Sequence, residues 1–347
     1  MLLGAAWHTV VDSWNSRSKG DGQGTPVGGG LTSCGPWLRD AGTHHAPAMR
    51  SLVFVVNPKS GGRRGPWLLN RLPLRIAGER TMLLGEVDLN VLVASLQPSA
   101  GHVALVACGG DGTASAVLEA TWRMDPHAPI PVGLIPLGTG NDLARVLGWQ
   151  RGTLDESRLD HHLHGLQSAP IGHLDRWVLH GPEGSRAFGN YLSLGGDARI
   201  AARFDAIRRH HGWLARGPLI NRALYGLAGL GEPAAPLRGA LTGLDLPTWS
   251  RSLVFANIPS YAGGTCLARG ISAGDGLLDA VALGPGAAMA AAVAGLRRPR
   301  LLGRQAVWRF TLERPVVAQI DGEPTRLPAG DHVIASGGSW RVLLGHG

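Results

Sequence analysis

The sequence VACGGDGTASAVLEA, residues 106–120, places glycines, an aspartate and a threonine between an apolar run and a segment with helical character. The apolar run HVALVAC (102–108) predicts a strand, and the following segment predicts a helix from about Thr113 to Arg123. A loop between a strand and a helix presents backbone N–H groups at the positive end of the helix dipole, and glycine lets an anion approach closely. The stretch therefore predicts an anion-binding loop, with an ordinary tight turn as the alternative.

A second glycine loop follows one strand further along the chain. After the apolar run PVGLIP (131–136), the sequence PLGTGNDLAR (136–145) leads into a helix predicted from about Gly140 to Leu147. Two adjacent loops of this kind favour a nucleoside triphosphate site, although the GxxxxGK[ST] pattern of the Walker loop is absent. The residues that we expect to contact the nucleotide here are Gly109, Gly110, Gly112, Thr113, Gly138, Thr139, Gly140 and Asn141.

A third polar loop follows the first apolar run, SLVFVVN (51–57). Here Asn57, Lys59 and Ser60 are predicted to join the nucleotide site, because a lysine can neutralise phosphate charge. A solvated loop lysine is the alternative. Short strands alternating with loops and helices predict a parallel sheet with crossover helices, and ligands of such sheets bind at the carboxyl ends of the strands.

The pattern divides the chain into three parts. Residues 1–49 are rich in glycine, serine and threonine and are interpreted as a disordered or targeting leader. Residues 50–170 form the predicted α/β nucleotide domain. Residues 171–347 contain short strands with few long helices and predict a mostly antiparallel β-sandwich domain, whose C-terminal tail could return to the first domain.

Composition narrows the class of protein. The 347 residues are 44% hydrophobic, enough for two domains with buried cores. The net charge of +8 fits an anionic partner such as nucleic acid, a phospholipid surface or a phosphorylated substrate, with a GC-rich genome as the alternative source of the arginines. Three isolated cysteines argue against structural zinc and disulfides and favour a reducing compartment. The sequence predicts no transmembrane helix.

Eight blocks in a fixed order resemble the catalytic region of diacylglycerol kinases, in the fold group that also holds sphingosine, ceramide and NAD kinases. They span residues 51 to about 330. The blocks are VVNPKSGG (55–62), ACGGDGT (107–113), PLGTGNDLAR (136–145), LDRW (174–177), GNYLSLGGDA (189–198), NIPSYAGG (257–264), DGLLDA (275–280) and QIDGEP (319–324). The resemblance implies that ATP, with Mg2+, phosphorylates the hydroxyl of diacylglycerol to give phosphatidic acid.

The resemblance also implies catalytic residues. Asp321 would be the general base, with Glu323 beside it. At this spacing in an extended strand both carboxylates would point to one side, with a bend of the chain at Gly322 as the alternative. Like charges close together raise one pKa toward a value that is useful for a base. A surface Asp-Gly turn is the alternative. Asp111, Asp142 and Asp175 would belong to the polar network around Mg2+ and the phosphates.

The SAGDGLLDA block (272–280) resembles the stretch that holds a structural Mg2+ in those relatives. The ligands would be the carboxylate of Asp275 and the backbone carbonyls of Ser272 and Leu277; a tight turn without metal is the alternative. Two departures from the family pattern are present. The usual Gly-Val-Asp-Ala is Gly-Gly-Asp-Ala at 195–198, which would add flexibility near the substrate, and residues 66–100 match weakly.

Two stretches, 203–222 and 296–310, mix arginines with leucines and with Trp213 and Trp308. They predict peripheral contact with an anionic membrane, with a solvated basic face and core tryptophans as the alternative. The localisation that we expect is cytoplasmic, with organelle targeting by the leader as a further possibility. We expect neither nucleic acid nor zinc as a partner. Two other functions stay open: a kinase of the same fold group acting on a sphingoid base, ceramide or NAD, and a membrane-binding protein with an inactive kinase site.

Overall fold

A computed structural model describes residues 49–61, 64–75, 80–138, 141–149, 154–200, 237–261, 263–285 and 299–345. Several predicted features lie outside these ranges. They are the leader up to residue 48, the stretch 203–222 with Trp213, and the loop residues Thr139 and Gly140.

The helices and strands are numbered here in chain order. The α-helices are α1 (Arg64–Leu69), α2 (Leu72–Arg75), α3 (Leu89–Leu96), α4 (Asp111–Met124), α5 (Asp142–Val146) and α6 (Glu156–Ser168). The strands up to the middle of the chain are β1 (Ser51–Val56), β2 (Arg80–Leu83), β3 (Val103–Gly109), β4 (Val132–Pro136), β5 (Ile171–Gly181), β6 (Gly184–Phe188), β7 (Tyr191–Gly195), β8 (Leu241–Thr242) and β9 (Ser252–Ala256). The remaining strands are β10 (Ser260–Tyr261), β11 (Thr265–Cys266), β12 (Leu278–Leu283), β13 (Arg300–Gln305), β14 (Val307–Leu312), β15 (Val316–Ile320), β16 (Glu323–Leu327) and β17 (Gly330–Leu343).

The first four strands form the predicted parallel sheet, in the order β2-β1-β3-β4. All seven residues of β3 and all five of β4 are buried, as expected where both faces of a parallel sheet are covered. Val56 pairs with Cys108 and Gly109 with Pro136, so these strands end at one edge. The three polar loops of the sequence therefore meet at the carboxyl ends of the strands.

The weakly matching region 66–100 supplies most of α1 together with α2, β2 and α3. Leu68, Leu72 and Val93 are fully buried against the sheet core. In the ranges that the structure covers, no helix combines the length and the apolar content needed to cross a bilayer.

The second half of the chain is mostly antiparallel, as predicted. A six-stranded sheet runs in the order β13-β12-β9-β7-β15-β16, and the core of this half includes Trp177 of β5, Phe255 of β9 and Phe310 of β14. The long strand β17 pairs antiparallel with β5 and β14, and its Val342 pairs in parallel with Val132 of β4. The first sheet thus continues from the parallel strands into the C-terminal region.

Trp308 belongs to this core, so the prediction that it anchors the protein to a membrane is wrong. Its side chain is buried against Phe255, and its indole N–H donates to the carbonyl of Leu278 at 2.9 Å. The apolar interior competes with the membrane for a tryptophan, and the alternation of β14 turns this ring inward.

We predict that Gly61→Ala forces two of the polar loops apart. Gly61 has a φ of 63°, and a Cβ at this position would overlap the carbonyl oxygen of Leu137 in the loop after β4. We expect the free energy of unfolding in urea to fall by about 2–3 kcal/mol.

Gly85→Ala is the matched control, because Gly85 has a φ of 99° but a Cβ there would meet no atom within 4 Å beyond its chain neighbours. This variant should lose only about 1 kcal/mol, from backbone strain alone. Equal losses in the two variants would contradict close contact between the loops.

Candidate active site

The loops after β1 and β3 are joined by Asn57. Its side-chain N–H donates to the hydroxyl of Thr113 at 3.1 Å, and its Oδ1 accepts from the backbone N–H of Lys59 at 3.0 Å. The backbone N–H of Ser60 donates to the carbonyl of Asn57. A Cβ on Gly109 would overlap Thr113. The predicted nucleotide residues of these two loops therefore lie together, with the Lys59 side chain exposed beside them.

Asn141 lies close to Gly110 and Gly138, which belong to the loops after β3 and β4. Its side-chain N–H donates to the carbonyl of Gly138 at 2.5 Å, and a Cβ on Gly138 or Gly110 would lie 2.9 or 3.7 Å from its Oδ1. Asn141 is buried in a left-handed conformation with a φ of 46°. Within the residues that the structure describes, its Oδ1 accepts no hydrogen bond. A buried oxygen without a donor fits a ligand that supplies positive charge or an N–H group.

Asp111 is the first residue of α4, and its carboxylate caps a different helix. It accepts the backbone N–H groups of Asp142 and Leu143, both at 3.1 Å, at the start of α5. The pKa of Asp111 is raised to about 7, chiefly by burial and next by the charge of Asp142, against the two N–H donors. The charge of Asp321 also raises this pKa, so the two predicted catalytic aspartates share one site.

Asp142 points away from the glycine loops. Its carboxylate accepts from the hydroxyl of Ser260 at 2.5 Å, from the backbone N–H of Gly263 at 3.1 Å and from the guanidinium of Arg145 at 3.2 Å. Burial raises its pKa, although the bonds from Ser260 and Gly263 oppose this. The role near Mg2+ that the sequence predicts for Asp142 stays a prediction, and the structure adds that its carboxylate binds the 257–264 segment.

Asp321 and Gly322 form the two-residue turn between β15 and β16. Their φ angles are 48° and 88°, as a type I′ turn requires, and Ile320 pairs with Glu323 across the hairpin. The expectation that Asp321 and Glu323 point to one side of an extended strand is therefore wrong, because the chain reverses between them. Asp321 is buried, whereas Glu323 is exposed with its Oε1 beside Gly112.

The Asp321 carboxylate is held by a row of backbone N–H groups. Gly189, Asn190 and Tyr191 donate to it at 2.9, 2.7 and 3.1 Å. Ser115, one turn after Asp111 on α4, also hydrogen-bonds to it. Burial outweighs these donors and raises the pKa of Asp321. The Asp321 carboxyl group is therefore buried and fixed, which rules out the alternative of a surface Asp-Gly turn.

The predicted structural metal block lies together with Asp175. Asp175 accepts the backbone N–H of Gly276 at 2.7 Å, and its own N–H donates to the carbonyl of Ala273 at 2.7 Å. The Asp275 carboxylate accepts the N–H of Leu277 at 3.0 Å. Burial and the charge of Asp275 raise the pKa of Asp175 to about 6. Asp175 thus contacts the 272–277 block, which also holds Ser272, rather than the glycine loops.

Asp279 joins this acidic group, although no sequence motif assigned it a role. Burial raises its pKa to about 6, against the bound guanidinium of Arg304, and the charge of Asp275 adds to the rise. Its Oδ2 is buried without a hydrogen-bond partner among the described residues. Among all the residues that the structure describes, no three His, Cys, Asp or Glu side chains are grouped so that they could hold a metal ion.

A cleft of about 640 Å³ opens between α4 and the β15–β16 turn. One face of α4 lines it at regular helical spacing, the segment after β2 adds apolar side chains, and β6 adds an arginine. The lining includes Gly112, Ser115, Glu119, Arg123, Leu84, Val87, Leu89, Arg186, Asp321, Glu323 and Thr325.

Sequence reasoning missed three parts of this cleft. Ser115 follows Asp111 by four residues, so helical periodicity could have placed both on one face of α4. Arg186, whose guanidinium donates to the hydroxyl of Thr325 at 2.7 Å, carries no motif. The apolar segment 84–89 falls in the weakly matching region, and only the sheet order brings it to the site.

Known proteins match both halves of the chain. A family model described as the diacylglycerol kinase catalytic domain matches residues 51–171, and one described as the diacylglycerol kinase accessory domain matches residues 187–324. Diacylglycerol kinase 2 of Arabidopsis thaliana is 30% identical over 319 residues, which cover 80% of this chain and 44% of the relative. Diacylglycerol kinase zeta of Homo sapiens is 29% identical over 326 residues, which cover 82% of this chain and 34% of the relative.

Solved structures share the fold. A diacylglycerol kinase structure from Bacillus anthracis str. Sterne superposes with a TM-score of 0.53 at 15% identity, over 86% of this chain and 98% of that chain. Two further structures from the same organism give TM-scores of 0.59 and 0.57, both at 16% identity.

The chain spans less than half the length of the two kinases from A. thaliana and H. sapiens. The two domain matches follow one another along this chain, and the second includes Asp321 and Glu323 of the cleft. On these matches, the chain belongs to the diacylglycerol kinase family.

Proposed function

We propose that the protein is an ATP-dependent lipid kinase that phosphorylates the free hydroxyl of 1,2-diacylglycerol to give phosphatidic acid. The observation that carries this proposal is the meeting of the glycine loop at Gly112 and the buried carboxyl group of Asp321 in one cleft. Its volume of about 640 Å³ lies in the range of small-molecule sites. A phosphate donor and a proton acceptor are the two elements that phosphoryl transfer to an alcohol needs.

The cleft suits ATP in its chemistry. The apolar side chains of Leu84, Val87 and Leu89 offer a surface for the base. The glycine loops and the start of α4 offer backbone N–H groups to the phosphates, and Lys59 and Arg186 offer positive charge. Thr139 and Gly140 complete the proposed phosphate loop.

Asp321 acts as the general base in this proposal. The acceptor hydroxyl oxygen forms a bond to the γ-phosphorus, and the bond from that phosphorus to the bridging oxygen breaks, which releases ADP. The hydroxyl proton passes to the Asp321 carboxylate. Its raised pKa supports this role, because a base must hold the proton that it removes.

The site also fits Mg2+. The buried Oδ1 of Asn141 has no donor among the described residues, and together with the Asp111 carboxylate it offers the oxygen ligands that this ion prefers. When bound, Mg2+ offsets the charge of the phosphates. Asp142 stays part of the proposed polar network around Mg2+, with its carboxylate held by hydrogen bonds from Ser260 and Gly263.

A structural Mg2+ at Asp275, with the carbonyls of Ser272 and Leu277, stays part of the proposal. The buried Oδ2 of Asp279, which has no hydrogen-bond partner among the described residues, and the pKa of Asp175, which the charge of Asp275 helps to raise, support it. Contact with an anionic membrane at the cytoplasmic side also stays a proposal. On β13, Arg300 precedes Leu301, whose side chain is 42% exposed, a combination that suits a lipid headgroup region.

We predict that Asp321→Asn abolishes lipid phosphorylation. The full chain should transfer labelled γ-phosphate from ATP to diacylglycerol in anionic mixed micelles, and the variant should lose about 10²- to 10⁴-fold in kcat. Asp245→Asn, at an exposed position outside the cleft, is the control and should keep full activity.

The outcomes separate the competing functions. Activity that survives in Asp321→Asn would keep the reaction and discard Asp321 as base. A parent that is inactive on diacylglycerol but labels a sphingoid base, ceramide or NAD would identify another kinase of the fold group. ATP binding without turnover on any acceptor would indicate an inactive site.

The raised pKa of Asp111 predicts a pH dependence of stability. Because the folded-state pKa of about 7 exceeds the ordinary value of 3.8, the folded protein binds the proton more tightly than the unfolded chain does. The contribution of Asp111 to stability should therefore fall as pH rises from about 4 to about 7. Urea unfolding of the parent and of Asp111→Asn should show a difference in unfolding free energy that changes in this direction. A difference that is independent of pH would refute the shift.

Asn141→Leu tests the proposed Mg2+ ligand. The side chains share a branched shape, but leucine offers no oxygen, so the affinity for Mn2+ in the presence of ATP should fall by about 10- to 100-fold in electron paramagnetic resonance titrations. Asn70→Leu, at an exposed position after α1, is the control. Unchanged Mn2+ affinity in Asn141→Leu would remove Asn141 from the site.

A further inference from the structure

The block NIPSYAGG (257–264) has no residue in the cleft, yet its buried polar side chains face the segments that hold the catalytic aspartates. The structure describes this block apart from residue 262. Asn257 is fully buried and Ser260 is 7% exposed. Asn257 contacts the segment that binds Asp321, whereas Ser260 contacts the start of α5.

Asn257 binds the segment that holds Asp321. Its side-chain N–H groups donate to the carbonyls of Gly189 and Asp175 at 2.6 and 2.9 Å, and its Oδ1 accepts the indole N–H of Trp177 at 3.0 Å. The backbone N–H of Asn257 donates to the carbonyl of Asn190 at 2.9 Å. Residues 189–191 therefore bind Asn257 through backbone carbonyls and bind the Asp321 carboxylate through backbone N–H groups.

Ser260 acts at the other end of the block. Its hydroxyl donates to the Asp142 carboxylate at 2.5 Å, and the backbone N–H of Gly263 donates to the second oxygen at 3.1 Å. Asp142 opens α5, and its own N–H, with that of Leu143, holds the Asp111 carboxylate. The contact therefore fixes the helix start that orients Asp111.

We infer that the 257–264 segment is a positioning element that fixes both aspartates of the proposed reaction, Asp321 through Asn257 and Asp111 through Ser260 and Asp142. The expected loss in kcat rests on the proposed function. The fixed positions of Asp321 and Asp111 do not, because they depend only on the hydrogen bonds described above. Neither Asn257 nor Ser260 touches the cleft, so both are positioning residues rather than catalytic residues.

Loss of the Ser260 hydroxyl has a specific consequence. A buried carboxylate that loses a short, charge-assisted donor must move or find another one. Asp142 would then shift the start of α5, and Asp111 would shift with it. A displaced Asp111, as a proposed Mg2+ ligand, would misplace the charge that the transferred phosphate needs and so lower kcat, whereas the glycine-loop N–H groups proposed to bind ATP would stay in place.

Three serine variants test this arm. Ser260→Ala should lower kcat by about 10- to 100-fold with little change in the KM for ATP, and Ser260→Thr, which keeps the hydroxyl on a strand residue, should restore most of the rate. Ser250→Ala is the matched control, because Ser250 is fully buried and its hydroxyl has no hydrogen-bond partner among the described residues. A loss in Ser250→Ala equal to that in Ser260→Ala, or no recovery in Ser260→Thr, would overturn the inference.

Hydrogen exchange gives a readout that does not depend on activity. In Ser260→Ala the backbone N–H groups of Asp142 and Leu143 should exchange faster than in the parent and in Ser250→Ala. An inactive parent with this exchange pattern would sink the proposed function and keep the positioning role. If the parent is active but exchange at these two positions is unchanged in Ser260→Ala, the proposed function stands and the positioning role is refuted.

Asn257→Asp tests the other arm. The shape of the side chain is kept, but an oxygen replaces the N–H donor that faces the carbonyls of Gly189 and Asp175. We expect faster exchange at Gly189, Asn190 and Tyr191 and a loss in kcat of similar size to that of Ser260→Ala. If this variant does not fold, Trp177→Phe, which removes the donor to Oδ1 together with part of a buried ring, should still give faster exchange at the same positions. Unaltered exchange there in both variants would refute the role of Asn257.

Discussion

Buried carboxylates that accept backbone N–H groups from a distant part of the chain hold the site together. Asp111 binds the start of α5, Asp142 binds the 260–263 segment, and Asp321 binds residues 189–191. Each bond joins residues at least 31 positions apart in sequence. Because a charged acceptor gives stronger hydrogen bonds than a neutral one, few such bonds suffice to fix loops that have little apolar surface of their own.

This arrangement has an electrostatic cost that serves the proposed chemistry. Burial raises the pKa values of Asp111, Asp142 and Asp321, although each carboxylate accepts hydrogen bonds that lower it. The carboxylates therefore have a higher proton affinity than exposed ones. A higher proton affinity suits a general base, whereas the mutual repulsion of Asp111 with its neighbours suits a site that is completed by positive charge.

Both halves of the chain contribute residues to the site. The glycine loops come from the parallel sheet, and the Asp321 turn comes from the antiparallel sheet. Strand β17 pairs with β4 in the first half and with β5 and β14 in the second. The cleft thus lies where both halves contribute side chains, and the 257–264 segment contacts residues from each of them.

The parallel strands, the glycine loops and the family could all be predicted from the order of residues along the chain. Apolar runs followed by glycines specify these features locally, since strand propensity, loop conformation and helix starts depend on neighbouring residues. Long-range packing, in contrast, determined that Asp142 contacts Ser260, that the Asp321 carboxylate is buried against residues 189–191, and that Trp308 belongs to the core. It also brought Ser115, Arg186 and the 84–89 segment to the cleft. The physical reason is that each of these outcomes depends on partners far away in sequence: a carboxylate turns toward whichever N–H groups the fold brings near it, and an indole ring toward whichever face is buried.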